Sequence, residues 1–271
     1  MSNNLPLRIA ITAGEPAGIG PDLIVNTAQQ PRDSELVVIG DPEVLSARAK
    51  SLGLPLEIHD YRPEAMPAAG LPGRLVVDTL RTATAVTPGT TDTANAAYVL
   101  ETLRRAAAGC VDQEFAAMVT TPVHKSAIAE AGVEFSGHTE FLGDMCGVEQ
   151  PVMLLCTEGL RVALVTTHLA LRDVPDAITQ PGIVAVATTL ARGLTELFGI
   201  SAPRLGILGL NPHAGEAGQL GDEEIRIIEP AVAELAASGM NVTGPLPADS
   251  AFTPDALTGF DAILAMFHDQ G

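Results

Sequence analysis

Short apolar runs alternate with longer segments of helical periodicity along most of the chain. The apolar runs predict buried strands, and the spacing of apolar residues between them predicts amphipathic helices. The predicted strands are residues 7–12, 35–39, 74–77, 115–120, 152–156, 161–166, 204–209 and 261–267. The predicted helices are residues 20–30, 42–52, 91–108 and 181–197, followed by one between Asp222 and Gly239. Such alternation is typical of an α/β fold.

Local signals refine this pattern. Gly109 stands where a glycine would terminate the helix over 91–108. In the last predicted helix, Asp222 is the expected N-cap, and Glu223 and Glu224 lie in the first turn. Pro230 should kink that helix. The run 157–160, between two strands, predicts an antiparallel hairpin. We expect two α/β domains, residues 1–130 and 131–271.

Composition and charge narrow the function classes. The chain has 271 residues, 46% of them apolar, which is enough for a packed core. Its formal net charge is -18, and such an acidic surface repels phosphate backbones and anionic lipids. We therefore expect the protein to bind neither nucleic acid nor membranes. The polar N-terminus predicts no signal peptide, and three dispersed cysteines predict no disulfide framework. We therefore expect a cytoplasmic protein that binds a small molecule.

Four histidines lie at or just beyond the ends of predicted strands. They are His124, His168, His213 and His268, and a fifth, His138, opens the short segment 139–145. In open α/β sheets, ligands bind beyond the carboxyl ends of the strands. A single histidine there is usually structural, but three imidazoles together suit a catalytic divalent metal.

Three further features have both a structural and a functional interpretation. The glycine-rich segment 14–21 joins a strand to a helix, as an anion-binding loop would, although it is not a G-x-G-x-x-G motif. Lys125 offers a positive charge for an anionic substrate, or simply a solvated side chain. Asp249 and Asp269 could orient a ligand or accept a proton, or could cap a turn.

Seven motifs, in order along the chain, are similar to those of the 4-hydroxythreonine-4-phosphate dehydrogenases of vitamin B6 synthesis. They are Gly14-Glu15-Pro16-Ala17-Gly18-Ile19-Gly20-Pro21, Thr121-Pro122-Val123-His124-Lys125, Gly137-His138-Thr139-Glu140-Phe141, Thr167-His168-Leu169, Asn211-Pro212-His213-Ala214-Gly215-Glu216, Gly244-Pro245-Leu246-Pro247-Ala248-Asp249 and His268-Asp269-Gln270-Gly271. The resemblance implies a two-domain, three-layer α/β fold similar to that of the isocitrate and isopropylmalate dehydrogenases.

The same resemblance implies a reaction and assigns residues to it. His168, His213 and His268 align with ligands of a divalent metal (zinc, magnesium or cobalt), and His138 and Thr139 align with substrate contacts. NAD or NADP would oxidise 4-phosphooxy-L-threonine at C3, and the 2-amino-3-oxo-4-phosphooxybutanoate formed would lose carbon dioxide to give 3-amino-2-oxopropyl phosphate. The family is homodimeric, with a site drawn from both subunits. The cofactor-binding residues stay unassigned.

Two departures from the family pattern keep alternatives open. Thr121 replaces an expected glycine, which should tighten its loop, and family members continue beyond the position of Gly271. We expect from the latter either poor solubility or altered assembly. The alternatives are a related dehydrogenase of a phosphorylated sugar acid or a dihydrodiol acid, and a truncated, non-catalytic chain that binds metal.

Overall fold

The computed structural model describes residues 5–148 and 150–271, which fold into two compact units. The first unit comprises residues 1–149 and the second residues 150–271. Within the described residues, no helix is long and apolar enough to cross a membrane.

The first unit is built on a sheet of five parallel strands in the order β3-β4-β2-β1-β5. The strands are β1 (Arg8–Thr12), β2 (Glu35–Gly40), β3 (Glu57–Asp60), β4 (Arg74–Thr79) and β5 (Ala117–Thr120). The helices are α1 (Gly20–Thr27), α2 (Pro42–Leu52), α3 (Ala96–Val111), α4 (Lys125–Glu130) and α5 (His138–Met145). One face of the sheet packs on Ile24 and Leu45, and the other on Ala106 and Phe115.

The second unit holds a mixed five-stranded sheet in the order β6-β7-β10-β8-β9. The strands are β6 (Leu154–Thr157), β7 (Leu160–Leu164), β8 (Arg204–Leu208), β9 (Asn241–Leu246) and β10 (Ala262–Ala265). The helices are α6 (Val174–Ala177), α7 (Gln180–Phe198), α8 (Glu229–Ala237), α9 (Ala248–Ala251) and α10 (Pro254–Leu257). Only the β6–β7 pair is antiparallel, joined by the predicted hairpin turn.

The second unit has three layers because its sheet is covered on both faces. Ala163, Ile207 and Leu264 point to one face and pack against the buried side of α7 and α8. Val162, Ile263 and Ala265 point to the other face and pack with Ala251 and its neighbours in the segment that contains α9 and α10. The predicted α/β class is therefore confirmed.

Gly109 does not end its helix. Helix α3 continues through Gly109 to Val111, and a Cβ atom at Gly109 would overlap the ring of Phe115, lying 2.5 Å from Cε2 and closer still to Cδ2. The Gly109 carbonyl also accepts hydrogen bonds from the backbone N–H groups of Glu114 and Phe115. The glycine is thus required for close packing of the chain that returns toward β5, rather than for a left-handed cap.

The units divide between residues 149 and 150, whereas the sequence predicted a boundary near residue 130. The intervening segment contains α5, and its Phe135 and Phe141 pack against the core of the first unit. Phe135 and Phe141 also contact each other, with ring centroids 5.7 Å apart. Burial of these two aromatic rings keeps the segment with the first unit.

The predicted glycine-rich loop is closely packed on the chain after β5. A Cβ atom at Gly20 would lie 2.5 Å from Thr121 Oγ1, and Thr121 Oγ1 itself donates to the Thr12 carbonyl at 3.0 Å. The Ala17 N–H donates to Glu15 Oε1 and the Gly18 N–H to the Glu15 carbonyl. Since these N–H groups have partners within the loop, its contacts favour the structural interpretation over anion binding.

We expect Gly20→Ala to lower the free energy of unfolding by about 1–3 kcal/mol, because the new methyl group would overlap Thr121 Oγ1 and the Ala13 carbonyl. Gly193→Ala is the matched control, since a Cβ atom there has open space within α7. That change should raise stability by about 0.5–1 kcal/mol. Urea denaturation followed by far-UV circular dichroism measures both, and equal effects would contradict the packing described here.

Candidate active site

Three adjacent parallel strands of the second unit each lead to a histidine. The chain follows β7 to His168, β8 to His213 and β10 to His268, with β10 lying between the other two strands. Parallel strands present their carboxyl ends at one edge of a sheet, and neighbouring strands are about 4.8 Å apart. This order brings the three predicted ligands to one edge, with all three side chains exposed.

His168 and His268 are held near each other by backbone pairing beyond the ends of β7 and β10. The Val165 N–H donates to the Ala265 carbonyl at 2.9 Å, and both the N–H and the hydroxyl of Thr166 donate to the Met266 carbonyl. The two imidazole rings have centroids 6.3 Å apart. Two imidazoles on one cation would have centroids roughly 5–6 Å apart, given metal–nitrogen bonds of about 2.1 Å.

Gln270 joins the turn that carries His268 to the end of β8. Its Oε1 accepts from the Met266 N–H at 2.7 Å, and its Nε2 donates to the Gly209 carbonyl at 2.6 Å. Neither Thr166 nor Gln270 was singled out from the sequence as a site residue. The signal available was their presence within or beside two of the histidine motifs, but only the strand order reveals which backbone groups they bind.

Asp249 and Asp269 each lie beside one of these histidines. His213 Nδ1 is 3.5 Å from Asp249 Oδ2, and His268 Nδ1 is 3.4 Å from Asp269 Oδ1. A carboxylate at Nδ1 fixes the tautomer and the ring orientation, which leaves the Nε2 lone pair for a ligand. Both aspartates thus lie beside an Nδ1 atom of a predicted ligand.

The donor set suits a divalent cation by its chemistry. Imidazole nitrogens with carboxylates behind them are a common ligand arrangement for zinc and similar metals. Among residues 5–148 and 150–271, no group of three or more His, Cys, Asp and Glu side chains already has the geometry to hold a metal ion. Metal binding would therefore require side chains at this edge to rearrange.

His138 and Thr139 form the first turn of α5 in the first unit. His138 is half-buried, its ring packs edge-on against Phe135 at 5.8 Å between centroids, and its Nε2 is buried without a hydrogen-bond partner. Burial, with a smaller contribution from the charge of Lys125, lowers the pKa of His138 below its ordinary value. Burial thus favours the neutral form of the imidazole, whose Nε2 is enclosed by the protein.

Lys125 and His124 lie at the start of α4. Lys125 Nζ donates to the carbonyl of Ser136, which ties α4 to the segment just before His138. His124 is the N-cap of α4, and its Nδ1 accepts from the Ala127 N–H. The two neighbouring residues therefore differ in role: His124 caps a helix, whereas the charge of Lys125 lies near His138.

Comparison with known proteins identifies the family of this chain. Residues 32–271 match the family described as pyridoxal phosphate biosynthetic protein PdxA. The chain belongs to this family. The PdxA match spans both units, and it includes all three histidines at the strand ends as well as His138 and Thr139.

Individual relatives of this PdxA chain carry the enzyme name that the motifs suggest. The 4-hydroxythreonine-4-phosphate dehydrogenase of Marinobacter nauticus is 53% identical over 98% of this chain and 79% of its own length. A crystal structure of the enzyme of the same name from Klebsiella pneumoniae has a TM-score of 0.89 at 36% identity, covering 98% of this chain and 82% of that chain. A terephthalate 1,2-cis-dihydrodiol dehydrogenase from Burkholderia xenovorans has a TM-score of 0.66 at 29% identity, covering 98% and 81%.

We expect the lowered pKa of His138 to make this PdxA chain less stable as the pH falls. An unfolded histidine takes up a proton near pH 6.5, whereas folded His138 does so only at a lower pH. The unfolded state then binds more protons, so the contribution of His138 is present above about pH 6.5 and is lost as the pH falls toward the folded pKa.

Urea denaturation between pH 7.5 and pH 5 should show a smaller loss of stability in His138→Gln than in the parent chain. The imidazole resonances, assigned by comparison with that variant, give the pKa of His138 directly. A value at or above the ordinary one would contradict the burial described here.

Proposed function

We propose that the chain is a metal-dependent and NAD- or NADP-dependent 4-hydroxythreonine-4-phosphate dehydrogenase. The reaction removes a hydride from C3 of 4-phosphooxy-L-threonine and a proton from its hydroxyl group, and reduces the nicotinamide. The product, 2-amino-3-oxo-4-phosphooxybutanoate, has a ketone β to its carboxylate and loses carbon dioxide to give 3-amino-2-oxopropyl phosphate. This places the enzyme in pyridoxal phosphate biosynthesis, the role of its family.

One observation carries the proposal. In a PdxA-family chain, three adjacent parallel strands deliver His168, His213 and His268 to one sheet edge. We propose that these three imidazoles bind zinc, magnesium or cobalt through Nε2. When bound, the metal would polarise the hydroxyl group being oxidised, and the nicotinamide would accept the hydride.

Asp249 and Asp269 support the ligands in this proposal. Each carboxylate faces an Nδ1 atom, so each can accept the proton of that nitrogen and keep the ring in the tautomer whose Nε2 is free to coordinate. Both histidines are exposed, so these contacts are weak without a ligand, and a cation bound at Nε2 would strengthen them. We assign the aspartates to orientation of His213 and His268.

His138 and Thr139 contact the substrate in this proposal. A neutral His138 can donate or accept a hydrogen bond at Nε2 without the cost of burying a charge, and the Thr139 hydroxyl lies in the next position of the same turn. Lys125 supplies a positive charge beside them, in a chain whose net charge is -18. That charge suits the phosphate or carboxylate of the substrate.

A second candidate function is oxidation of a cis-dihydrodiol acid. The similarity to the terephthalate dihydrodiol dehydrogenase favours it, but the TM-score of 0.66 is lower than the 0.89 found for a 4-hydroxythreonine-4-phosphate dehydrogenase. A phosphorylated sugar acid would retain the same metal and cofactor. Both substrates are anionic, so the positive charge near His138 suits either one, and the higher TM-score favours the phosphorylated hydroxythreonine.

We also propose that the enzyme is a cytoplasmic homodimer whose subunits share the active site. The proposal rests on the family resemblance and on the solvent exposure of His168, His213 and His268, which leaves them accessible to other groups. Sedimentation velocity of the purified chain distinguishes a dimer from a monomer.

The central experiment measures NADH formation with 4-phosphooxy-L-threonine and added Zn²⁺, with and without EDTA. We expect chelator-sensitive turnover, reduced at least about 100-fold in His213→Ala, because loss of a direct ligand should cost more than loss of an outer partner. His59→Ala is the matched control, since His59 lies on β3 beside Glu57 and outside the proposed site. It should retain the parent activity.

The alternatives give different results in the same assay. Turnover of a cis-dihydrodiol acid, without turnover of 4-phosphooxy-L-threonine, would replace the proposed substrate. Turnover that is unaffected by EDTA and by His213→Ala would contradict the metal site.

A further inference from the structure

The segment that carries His213 has an unusual backbone. Five consecutive residues, His213 to Ala217, have positive φ angles between 43° and 78°, and only one of them, Gly215, is a glycine. For other residues the left-handed conformation crowds Cβ against the following carbonyl, so a run of them persists only where surrounding structure imposes it.

The buried carboxylate of Glu224 binds the start of this segment. Glu224 is 2% exposed, and its Oε1 accepts from the backbone N–H groups of Leu210 at 2.7 Å and Asn211 at 2.8 Å. Its Oε2 accepts from Asn211 Nδ2 at 2.9 Å. A buried carboxylate is strongly unfavourable unless such donors compensate it, so carboxylate and segment fix each other's position.

The segment also closes tightly around the same carboxylate. A Cβ atom at Gly215 would lie 2.6 Å from Glu224 Oε2, and one at Gly209 would lie 3.0 Å from Glu224 Oε1. The Ala214 N–H donates to the Asn211 carbonyl, and the Leu220 N–H donates to the Gly215 carbonyl. Glu224 is therefore surrounded by the turns on both sides of His213.

We infer that Glu224 is a positioning residue for His213: its buried carboxylate holds the left-handed segment so that the imidazole lies at the sheet edge. The inference rests on the proposed metal site, because it concerns how one ligand is presented. Nothing in the sequence pattern indicated it, since Glu224 was expected to be an ordinary acidic residue in the first turn of a helix. Instead it opens a π-helical turn, Glu224–Ile228, that precedes α8.

The test is a Co²⁺ titration of the metal-free full chain, followed by calorimetry and by the ligand-field absorption of cobalt. We expect Glu224→Ala, which removes all three contacts, to bind Co²⁺ about 10–100-fold more weakly, as loss of an outer-sphere partner typically does. Glu224→Gln keeps Oε1 for the two backbone N–H groups and should lie between Glu224→Ala and the parent chain. The cobalt spectrum of Glu224→Ala should shift toward that of His213→Ala.

Two controls separate positioning from stability and charge. Glu229→Ala removes an exposed carboxylate at the start of α8 and should keep the parent affinity. Leu235→Ala removes a side chain that is 1% exposed in the core beneath the sheet, so it should lower the melting temperature but leave Co²⁺ affinity unchanged. Far-UV circular dichroism confirms that each variant is folded.

The outcomes distinguish this inference from the proposed function. Parent affinity in Glu224→Ala, together with weakened binding in His213→Ala, would overturn only the role of Glu224. Equal losses in Glu224→Ala and Leu235→Ala would also overturn it, since affinity would then follow stability. No Co²⁺ binding by the parent chain would overturn both this inference and the metal site.

Discussion

The insertion of β10 between β7 and β8 is the pairing on which the second unit depends. All four residues of β10 are at most 3% exposed, and the strand contributes to both cores, through Leu264 on one face and Ile263 and Ala265 on the other. Because β10 is the central strand, the segment after it lies between the segments that follow β7 and β8. The same pairing that buries the apolar residues thus determines the order of the three histidines.

Much of the fold follows from sequence periodicity, and the exceptions have physical causes. Helix α2 spans the predicted residues because Asp41 caps its start and Gly53 its end in the left-handed conformation. Strand β9 was not predicted, since it contains Gly244 and Pro245, which are unfavourable in strands, and pairing with β8 compensates for them. The position of the last segment of the first unit depends on burial of Phe135 and Phe141, which no local pattern reveals.

In the candidate site, too, some residues can be predicted from the sequence and others only from the structure. A histidine just beyond a strand is visible in the sequence, and the family resemblance selects His168, His213 and His268 from the four such histidines. The contacts of Thr166, Gln270 and Glu224 depend on which backbone groups the strand order brings near them. These side chains bind backbone groups, and every residue has such groups, so the sequence does not indicate which of them is the partner.

The position of β10 along the chain also has a consequence for synthesis. Its pairing partners lie far back along the chain, since Ile263 pairs with Val162 on β7 and with Gly206 on β8. While the ribosome extends the polypeptide, β7 and β8 emerge long before the strand that joins them, and their inner edges lack a hydrogen-bonding partner until residues 262–265 arrive. Unpaired apolar strand edges are prone to aggregation, so we expect the second unit to be vulnerable to aggregation until residues 262–265 are available.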